Sequence, residues 1–426
     1  MSKLSRSVSI IGVGCTPFTN TLKNPETNGL TECELFAYAA LEAMKDAGIK
    51  PKQVQAYFHG QGNPIRTSDY SSANVQVNEW LGNIGMGGYA HSEACSTGYL
   101  ALDLAAQSVA SGKYDIVLTG GIDMGMDNFI PDEVAYRRQI FTTEEFAARV
   151  STVYDRAYTR PLGGGPFMQF DDVIGTYIKK YGVSKETMDD VMNTLAVQFR
   201  RNAVNNPLGL RTVLFEDLAK EAGYDDVMDY MRSEKNPIIS EFLRKEGFEA
   251  RADAAAACIV CPTEMAYQYT DKPVEIIGIG NSVMDAIHPH METVATKRAV
   301  KEAYDFAGVT PEEIDLLLVQ DFFESSVILG AEATGYIPEG ESWKYILDGR
   351  TQINGDKPIN TSGGRCQFGH AHGASGLADI YEAVKQMRGE AGVNQMQKAP
   401  KTAMLRGYGG GQNICVEILR ILQKTA

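Results

Sequence analysis

The residues of this chain with the clearest potential for covalent chemistry are one cysteine and two histidines. Cys95 stands in HSEACSTGYLALDLAA, residues 91–106, directly before an apolar helical pattern. A helix N-terminus has backbone N–H groups without partners, and its dipole favours an anion. The thiolate that a nucleophilic cysteine must form is such an anion. Taken alone, the stretch indicates either a nucleophile or a small residue at a helix entrance.

Length, composition and charge indicate an ordinary globular chain. The 426 residues are 44% hydrophobic and 22% charged, enough for two domains or one duplicated unit. A formal net charge of −14 argues against general affinity for nucleic acid or anionic membranes. No apolar stretch approaches the roughly 20 residues that cross a bilayer. Seven scattered cysteines do not indicate a disulfide framework, so we expect a reducing, cytoplasmic location.

Three segments of the first half recur in the same order in the second half. The first pair is a buried strand closed by glycine, and the second is a helix that ends at Ala-Gly before a proline turn and a strand. The third pair is a glycine-bearing turn that leads into a helix. They are 7–14 with 273–280, 42–61 with 302–321, and 95–106 with 373–384. Such repetition predicts an α/β protein of two similar halves, packed face to face with their turns opening on one cleft.

The repeat also divides the chain into regions. We expect an N-terminal half at 1–122, an insertion at 123–250, a return to the core at 251–272 and a C-terminal half at 273–426. The insertion contains a Gly-rich turn at 162–167 and a helical pattern at 184–203, and long insertions usually serve sites, so we expect it to cover the cleft. Cys258 and Cys261 form a CxxC, but the residues between them favour a buried strand over a zinc site.

The repeat places a turn with two histidines opposite Cys95. This turn reads GGRCQFGHAHGASG, residues 363–376, and contains His370 and His372. Two histidines in a glycine turn facing a cysteine favour chemistry over a loop role, because a Cys–His pair is the minimum for an activated thiol nucleophile. His288 and His290 have no such partner, and we interpret them as loop residues.

Four motifs in and around these turns resemble those of the thiolase superfamily, in particular the thiolases related to the sterol carrier protein 2 type. They are EACSTG, NTSGG at 360–364, GHAHGASG and GYGGG at 407–411, in the expected order over nearly the whole chain. The family signature GHPxGATG corresponds to GHAHGASG here. The resemblance implies the duplicated thiolase fold, with layers in the order αβαβα and the insertion over the cleft.

The resemblance also implies a role for individual residues. Cys95 corresponds to the cysteine that becomes acylated, and His370 to the histidine that activates it. Gln320, in VQDFFES, takes the place of a residue that holds a water in the oxyanion hole of the thioester carbonyl. Gly409, in GYGGG, takes the place of the glycine whose N–H joins that of Cys95 in the second oxyanion hole.

The chain departs from the family where a second cysteine moves the proton of the enolate carbon. The two usual positions of that cysteine hold Gly407 and Phe322, and the GHP proline is Ala371. The acid–base group is therefore missing from its usual places. We expect His372 to replace it, with Cys366 as the second candidate.

The activity implied by the resemblance is cleavage of a 3-oxoacyl-CoA, or its formation by Claisen condensation, through an acyl-cysteine. Coenzyme A is then a substrate, and no bound cofactor or metal is implied. An aromatic substrate such as benzoylsuccinyl-CoA is the first expectation. Acetyl transfer onto a phenolic acceptor and a non-catalytic thiolase-like subunit of a complex are the alternatives. The family also implies a homodimer, and the subgroup a small partner with a zinc ribbon and an OB-fold.

Overall fold

The computed structural model describes residues 4–21, 23–62, 73–82, 84–124, 166–283, 291–409 and 413–423. The strands are β1 (Val8–Cys15), β2 (Ala56–Gln61), β3 (Gly87–His91), β4 (Val117–Met124), β5 (Asp253–Pro262), β6 (Val274–Val283), β7 (Leu316–Val319), β8 (Thr402–Gly409) and β9 (Asn413–Ile421). The helices are α1 (Glu32–Asp46), α2 (Ala73–Trp80), α3 (Thr97–Ala110), α4 (Pro166–Tyr181), α5 (Lys185–Asn205), α6 (Phe215–Glu221), α7 (Val227–Arg232), α8 (Thr263–Ala266), α9 (Met291–Ala307), α10 (Glu324–Ala333), α11 (Ser342–Leu347) and α12 (Ser375–Arg388).

The strands form one mixed sheet in the order β3-β2-β4-β5-β1-β6-β9-β8-β7. In the first half, β2 is parallel to β4, whereas β5 is antiparallel to both β4 and β1. The second half repeats this arrangement, with β7 parallel to β8 and β9 antiparallel to both β8 and β6. The half-sheets join where Ser9 and Ile10 of β1 pair with Glu275 and Val274 of β6. The predicted duplication is confirmed.

The first strand of each half has the same irregularity. The ladder register shifts just before Gly12 in β1 and just before Gly278 in β6. A Cβ on Gly12 would lie 2.2 Å from the carbonyl oxygen of Ala43, and one on Gly278 would lie 2.8 Å from that of Ala303. In both halves, therefore, a strand glycine lets the following helix, α1 or α9, lie directly against the sheet.

Helices and half-sheets alternate in five layers. Cys258 of β5 belongs to a core shared with α3 and α12, whereas its neighbour Ile259 belongs to a core shared with α1. In the second half, residues of β8 and β9 divide in the same way between the central core and a core formed with α4, α5 and α9. The central helices cross where a Cβ on Gly98 would lie 2.7 Å from the backbone nitrogen of Leu377. The predicted αβαβα order is confirmed.

The segment that follows the insertion enters the N-terminal half-sheet as β5, between β4 and β1. Cys258 and Cys261 lie in this buried strand and belong to different cores, on opposite faces of the sheet. Their thiols therefore do not share a metal site, as the strand interpretation predicts. The region boundaries proposed at 122, 250 and 272 stay predictions.

The described part of the insertion, residues 166–250, supplies α4 to α7. Helix α5 matches the helical pattern predicted at 184–203 and packs on the turn that carries the histidines, because Arg200 donates from Nε to Gln367 Oε1 at 2.7 Å. Most of the Gly-rich turn at 162–167, together with His288 and His290, lies outside the described residues. Among the helices of the described ranges, none has the length and apolar character needed to cross a membrane.

Candidate active site

Cys95 lies in a short 3₁₀ turn, Ala94–Ser96, that leads directly into α3. Ala94 has a φ of 46°, in the left-handed region that side chains other than glycine rarely adopt. The turn is held by hydrogen bonds from Ser96 Oγ to Glu93 O at 2.8 Å and from Thr97 Oγ1 to Ala94 O at 2.6 Å. Strained backbone of this kind clusters at functional sites. The half-buried thiol thus stands at the helix entrance that the sequence predicts.

His370 faces this thiol from the second half. Its Nε2 lies 3.2 Å from Cys95 Sγ, and its Nδ1 lies 2.8 Å from Ser375 Oγ. Ser375 uses its own proton to donate to Ala371 O at 2.8 Å, so its oxygen accepts from Nδ1. This network assigns the proton to Nδ1 and leaves Nε2 as an acceptor for the thiol proton. Burial lowers the pKa of His370 well below its usual value, which favours the neutral base.

His372 lies in the same cluster. One ring nitrogen of each histidine and the sulfur of Cys95 all lie within 4.8 Å of one another. Asp123 Oδ2 accepts from the backbone nitrogen of His372 at 3.0 Å and lies 3.4 Å from its Nδ1. Burial and Arg251 disfavour the cation, but Cys95 and Glu249 outweigh them and raise the pKa of His372 to about 10. The two histidines therefore favour opposite charge states, with His370 neutral and His372 protonated.

Glu249 and Arg251 join this cluster, and the sequence reasoning missed both. Glu249 Oε2 lies 3.3 Å from His370 Nε2, and its Oε1 lies 4.0 Å from His372 Nε2 and 2.6 Å from Arg251 Nε. Burial alone would raise the pKa of Glu249, but Arg251 and both histidines hold it below its usual range. The sequence feature that could have indicated them is FEARAD, residues 248–253. In it, Glu249 and Arg251 are two positions apart and come directly before a buried strand.

Gln320 and Gly409 are connected to the cluster through backbone. Gln320 is fully buried, and its Oε1 accepts from the backbone nitrogen of Tyr408 at 2.9 Å. Its Nε2 has no hydrogen-bond partner among the described residues, so one buried donor is left over. Gly409 packs on the cysteine turn, since a Cβ there would lie 2.6 Å from Ser96 Oγ and 2.7 Å from Glu93 O. The structure therefore brings Gly409 close to Cys95, and it links Gln320 by a hydrogen bond to Tyr408, the residue before Gly409.

The positions of the missing second cysteine are filled by packing. A Cβ on Gly407 would lie 2.3 Å from Cδ2 of Tyr99, so the ring of Tyr99 takes the space of a side chain. Phe322 packs in a cluster of aromatic rings, edge to face with Phe170 at 4.8 Å and tilted against Tyr408 at 5.0 Å between ring centroids. Gly407 therefore has no room for a side chain, and a phenylalanine ring takes the place of the thiol at position 322.

Cys366, the second candidate for the missing acid–base group, is a buried thiol outside the trio. Its Sγ donates to the carbonyl oxygen of Asp321 at 3.0 Å and lies 3.4 Å from that of Gly247. Burial and the neighbouring Asp321 and Glu324 raise its pKa well above the usual value. His372 is therefore better placed than Cys366 to exchange a proton beside Cys95.

These groups have the properties that acyl transfer through cysteine needs. They provide a thiol at a helix entrance, a neutral imidazole aimed at it, a second imidazole that favours the cation, and a buried amide donor. A thiol and two imidazoles are also a donor set that zinc accepts. A metal there would coordinate the Cys95 sulfur and prevent its attack as a nucleophile, so the trio supports one of these two roles at a time. The fold and site are those of an α/β enzyme equipped for acyl transfer.

Comparison with known proteins identifies the family. Residues 8–164 match the family described as "Thiolase, N-terminal domain", and residues 281–420 match "Thiolase C-terminal domain-like". Together the two matches cover well over half of the chain. The chain belongs to the thiolase family and is an acyl-CoA acyltransferase of thiolase type.

Relatives align over almost the entire chain. The acetyl-CoA acetyltransferase of Methanothermobacter thermautotrophicus is 29% identical over 412 residues, covering 95% of this chain and 97% of the relative. Benzoylsuccinyl-CoA thiolase subunit BbsB of Thauera aromatica is 27% identical over 421 residues, covering 96% of each. The solved structure titled "Ltp2-ChsH2(DUF35) aldolase" superposes with a TM-score of 0.77 over 100% of both chains at 22% identity, which is a likeness of fold.

Proposed function

We propose that the protein cleaves a 3-oxoacyl-CoA with free CoA, or forms one by the reverse condensation, through an acyl group on Cys95. The observation that carries this proposal is the 3.2 Å approach of His370 Nε2 to Cys95 Sγ, with the His370 tautomer fixed by Ser375. A thiol beside an unprotonated imidazole nitrogen is an activated nucleophile.

In the first half of the reaction, His370 accepts the thiol proton while Cys95 Sγ attacks the 3-oxo carbon. The bond between C2 and C3 then breaks, which leaves an acyl group on Cys95 and the shorter acyl-CoA as an enolate. Protonated His372 donates its proton to C2 of this enolate, so the shorter acyl-CoA leaves with C2 protonated. A general acid must carry its proton at the working pH, and the raised pKa of His372 keeps that proton in place.

In the second half, the thiol of CoA gives its proton to the now neutral His372, and the thiolate attacks the acyl group. Cys95 leaves as a thiolate and recovers its proton from His370, so both histidines return to their starting states. The N–H of Gly409 and the amide of Gln320, acting directly or through a water, stabilise the oxyanions formed at the two carbonyls. Removing one such donor typically slows an enzyme about 100- to 1,000-fold.

Intact-mass measurement after incubation with a panel of acyl-CoAs tests the proposal. We expect a single acyl adduct on the wild-type protein and none on Cys95→Ala. Cys366→Ala is the matched control, because it removes a buried thiol outside the trio and should keep the adduct. An adduct that persists in Cys95→Ala, or that maps to Cys366, would show that the nucleophile is assigned wrongly.

For the substrate, we propose an aromatic 3-oxoacyl-CoA. Support comes from the name of the Thauera relative, a benzoylsuccinyl-CoA thiolase subunit, and from the aromatic rings next to the site residues. Phe322 and Tyr408 lie two residues after Gln320 and one before Gly409, respectively, with ring centroids 5.0 Å apart. Faster acylation by benzoyl-CoA than by acetyl-CoA is the expected result of the acyl-CoA panel, and the reverse order would contradict the aromatic assignment.

A second candidate is aldol-type cleavage of an acyl-CoA without a covalent intermediate. It is favoured by the loss of the second cysteine, whose positions hold Gly407 and Phe322, and by the aldolase title of the similar fold. The close Cys95–His370 pair opposes it. Product formation by Cys95→Ala, without any adduct, would support this candidate over the thiolase reaction.

We also propose that the protein is a homodimer that associates with a small zinc-ribbon and OB-fold partner. The edge strand β3 supports the first part, because an edge strand presents unpaired backbone groups to a second chain. The titles of a thiolase "subunit" and of Ltp2 joined to ChsH2(DUF35) support a second polypeptide. Light scattering of the purified chain tests the dimer, and a monomer in solution would contradict it.

A further inference from the structure

Arg251 is a cation at the site to which the proposed reaction gives no role. Its Nε lies 2.6 Å from Glu249 Oε1, and its side chain is 30% exposed. Within the described part of the chain, this ion pair is the only polar contact recorded for its guanidinium. A guanidinium has five N–H donors and binds a carboxylate with two of them. The edge formed by Nη1 and Nη2 is therefore available to a second carboxylate.

The guanidinium stands close to the reacting atoms. The carboxylate of Glu249 links it to His370 Nε2 at 3.3 Å, and that nitrogen lies 3.2 Å from Cys95 Sγ. Burial disfavours its charge, but Glu249 and Cys95 outweigh burial and raise its pKa. Arg251 is thus a fixed positive charge one carboxylate and one imidazole away from the nucleophile.

The charged side chains around the two histidines include both signs. Glu249 and Asp123 contribute two negative charges beside the histidines, and Arg251 and protonated His372 contribute two positive ones. The site is therefore balanced although the chain as a whole carries −14. The phosphates of CoA are separated from its thioester by the whole pantetheine arm, so they are not the anion that reaches Arg251.

We propose that Arg251 binds a second, free carboxylate on the acyl portion of the substrate, which makes the substrate a 3-oxoacyl-CoA of a dicarboxylic acid. The end-on Nη1/Nη2 edge receives this carboxylate while Nε keeps Glu249. This inference rests on the proposed function, because it assumes that the acyl group reacts at Cys95. It makes Arg251 a residue that determines specificity.

Succinyl-CoA and butyryl-CoA form a matched pair that tests the proposal, because their acyl groups have equal length and differ in the terminal carboxylate. Two rates are measured for each: acylation of Cys95 by intact mass, and exchange of the α-protons with deuterated water. We expect the wild-type protein to prefer succinyl-CoA about 10- to 100-fold in at least one rate, the range of a charge-assisted hydrogen bond. The rate that shows the preference identifies which side of the broken C–C bond carries the carboxylate.

Substitution of the arginine then assigns the preference. In Arg251→Gln the ratio of the two rates should fall to about one, and Arg251→Lys, which keeps the charge without the paired donors, should retain part of it. Arg211→Gln, at an exposed arginine near Arg200, should keep the wild-type ratio. Because the ratio is taken within one variant, a general loss of activity does not disturb it.

The outcomes separate this inference from the proposed function. If no acyl-CoA of any kind acylates Cys95, both fail. If acylation occurs but succinyl-CoA and butyryl-CoA react equally in both rates, only the role of Arg251 is wrong. A preference for succinyl-CoA that survives in Arg251→Gln also overturns it and leaves Arg251 as a partner that holds Glu249 in place.

Discussion

Replacing Glu249 by glutamine tests whether one carboxylate sets the charge states of both histidines. Its two oxygens lie 3.3 Å from His370 Nε2 and 4.0 Å from His372 Nε2. Glutamine keeps the shape and one oxygen acceptor but removes the negative charge. Any change in titration therefore reports the charge of Glu249 and not its volume.

The expected shift follows from the distance. Two unit charges 4.0 Å apart interact by about 4 kcal/mol at an effective dielectric constant of about 20, which corresponds to about three pKa units. Arg251, which ion-pairs with Glu249 at 2.6 Å, loses its partner in the variant and also disfavours a cation nearby. Cys95 contributes more than Glu249 to the raised pKa of His372, so this Coulomb value is an upper bound, and we expect the pKa to fall from about 10 toward about 7.

This fall in the pKa of His372 moves the alkaline limb of the pH–rate profile for cleavage to lower pH. Protonated His372 is the proposed acid, and it loses its proton as the pH rises through its pKa. The wild-type rate should therefore hold up to about pH 10, whereas the rate of Glu249→Gln should decline from a lower pH and, for the largest shift, be roughly 10-fold lower at about pH 8. At about pH 6 the two rates should approach each other, because His372 is protonated in both.

The assay is the pH–rate profile of cleavage, supported by NMR titration of ¹³C-labelled histidine. Glu246→Gln is the matched control, since Glu246 lies in the same segment but its carboxylate pairs with Arg200, at 3.0 Å, instead of with a histidine. It should keep the wild-type alkaline limb. If Glu249→Gln also keeps that limb, the carboxylate does not set the charge of His372 and the reasoning is refuted.

Three further substitutions test the remaining assignments. Gln320→Ala should slow turnover about 10- to 1,000-fold without changing the shape of the pH profile, because an amide donates a hydrogen bond but does not titrate. His372→Ala should still form the acyl adduct but lose both cleavage and α-proton exchange, and unimpaired exchange would remove His372 from the mechanism. Gly407→Cys, which restores the family's thiol, should lower the free energy of unfolding by about 1–3 kcal/mol through its clash with Tyr99. A gain in activity without loss of stability, measured by urea unfolding, would contradict this packing argument.

The fold was predictable from the sequence because the chain repeats its patterns. Glycine-closed strands at 7–14 and 273–280 and the turns before α3 and α12 were enough to predict two βα halves and their order. The same repeat placed His370 opposite Cys95, and the two atoms lie 3.2 Å apart. The pairing of β1 with β6 was not predictable, because the repeat describes each half separately and says nothing about which edges meet.

The charged part of the site was not predictable because it comes from a segment without a counterpart in the repeat. Glu249 and Arg251 precede β5. Their segment is hydrogen-bonded both to the loop after β7, which contains Phe322, and to the turn that contains His370. The backbone nitrogen of Glu249 donates to Phe322 O at 2.9 Å, and that of Ala252 donates to His370 O at 3.0 Å. A contact made by an inserted segment depends on tertiary structure, and neither hydrophobic periodicity nor the repeat records it.

The duplication also explains why Cys95 of one half faces His370 of the other. In both halves a turn enters a central helix, and the helices cross at Gly98 and Gly376, where a Cβ on Gly376 would lie 2.6 Å from the backbone nitrogen of Tyr99. This close crossing brings the two helix entrances together, so a thiol on one and an imidazole on the other must meet. The same crossing places Tyr99 against Gly407 and excludes a cysteine there. The packing that creates the Cys95–His370 pair thus leaves no room for a second thiol at Gly407, and the proposed mechanism assigns the proton transfer to the turn of His372.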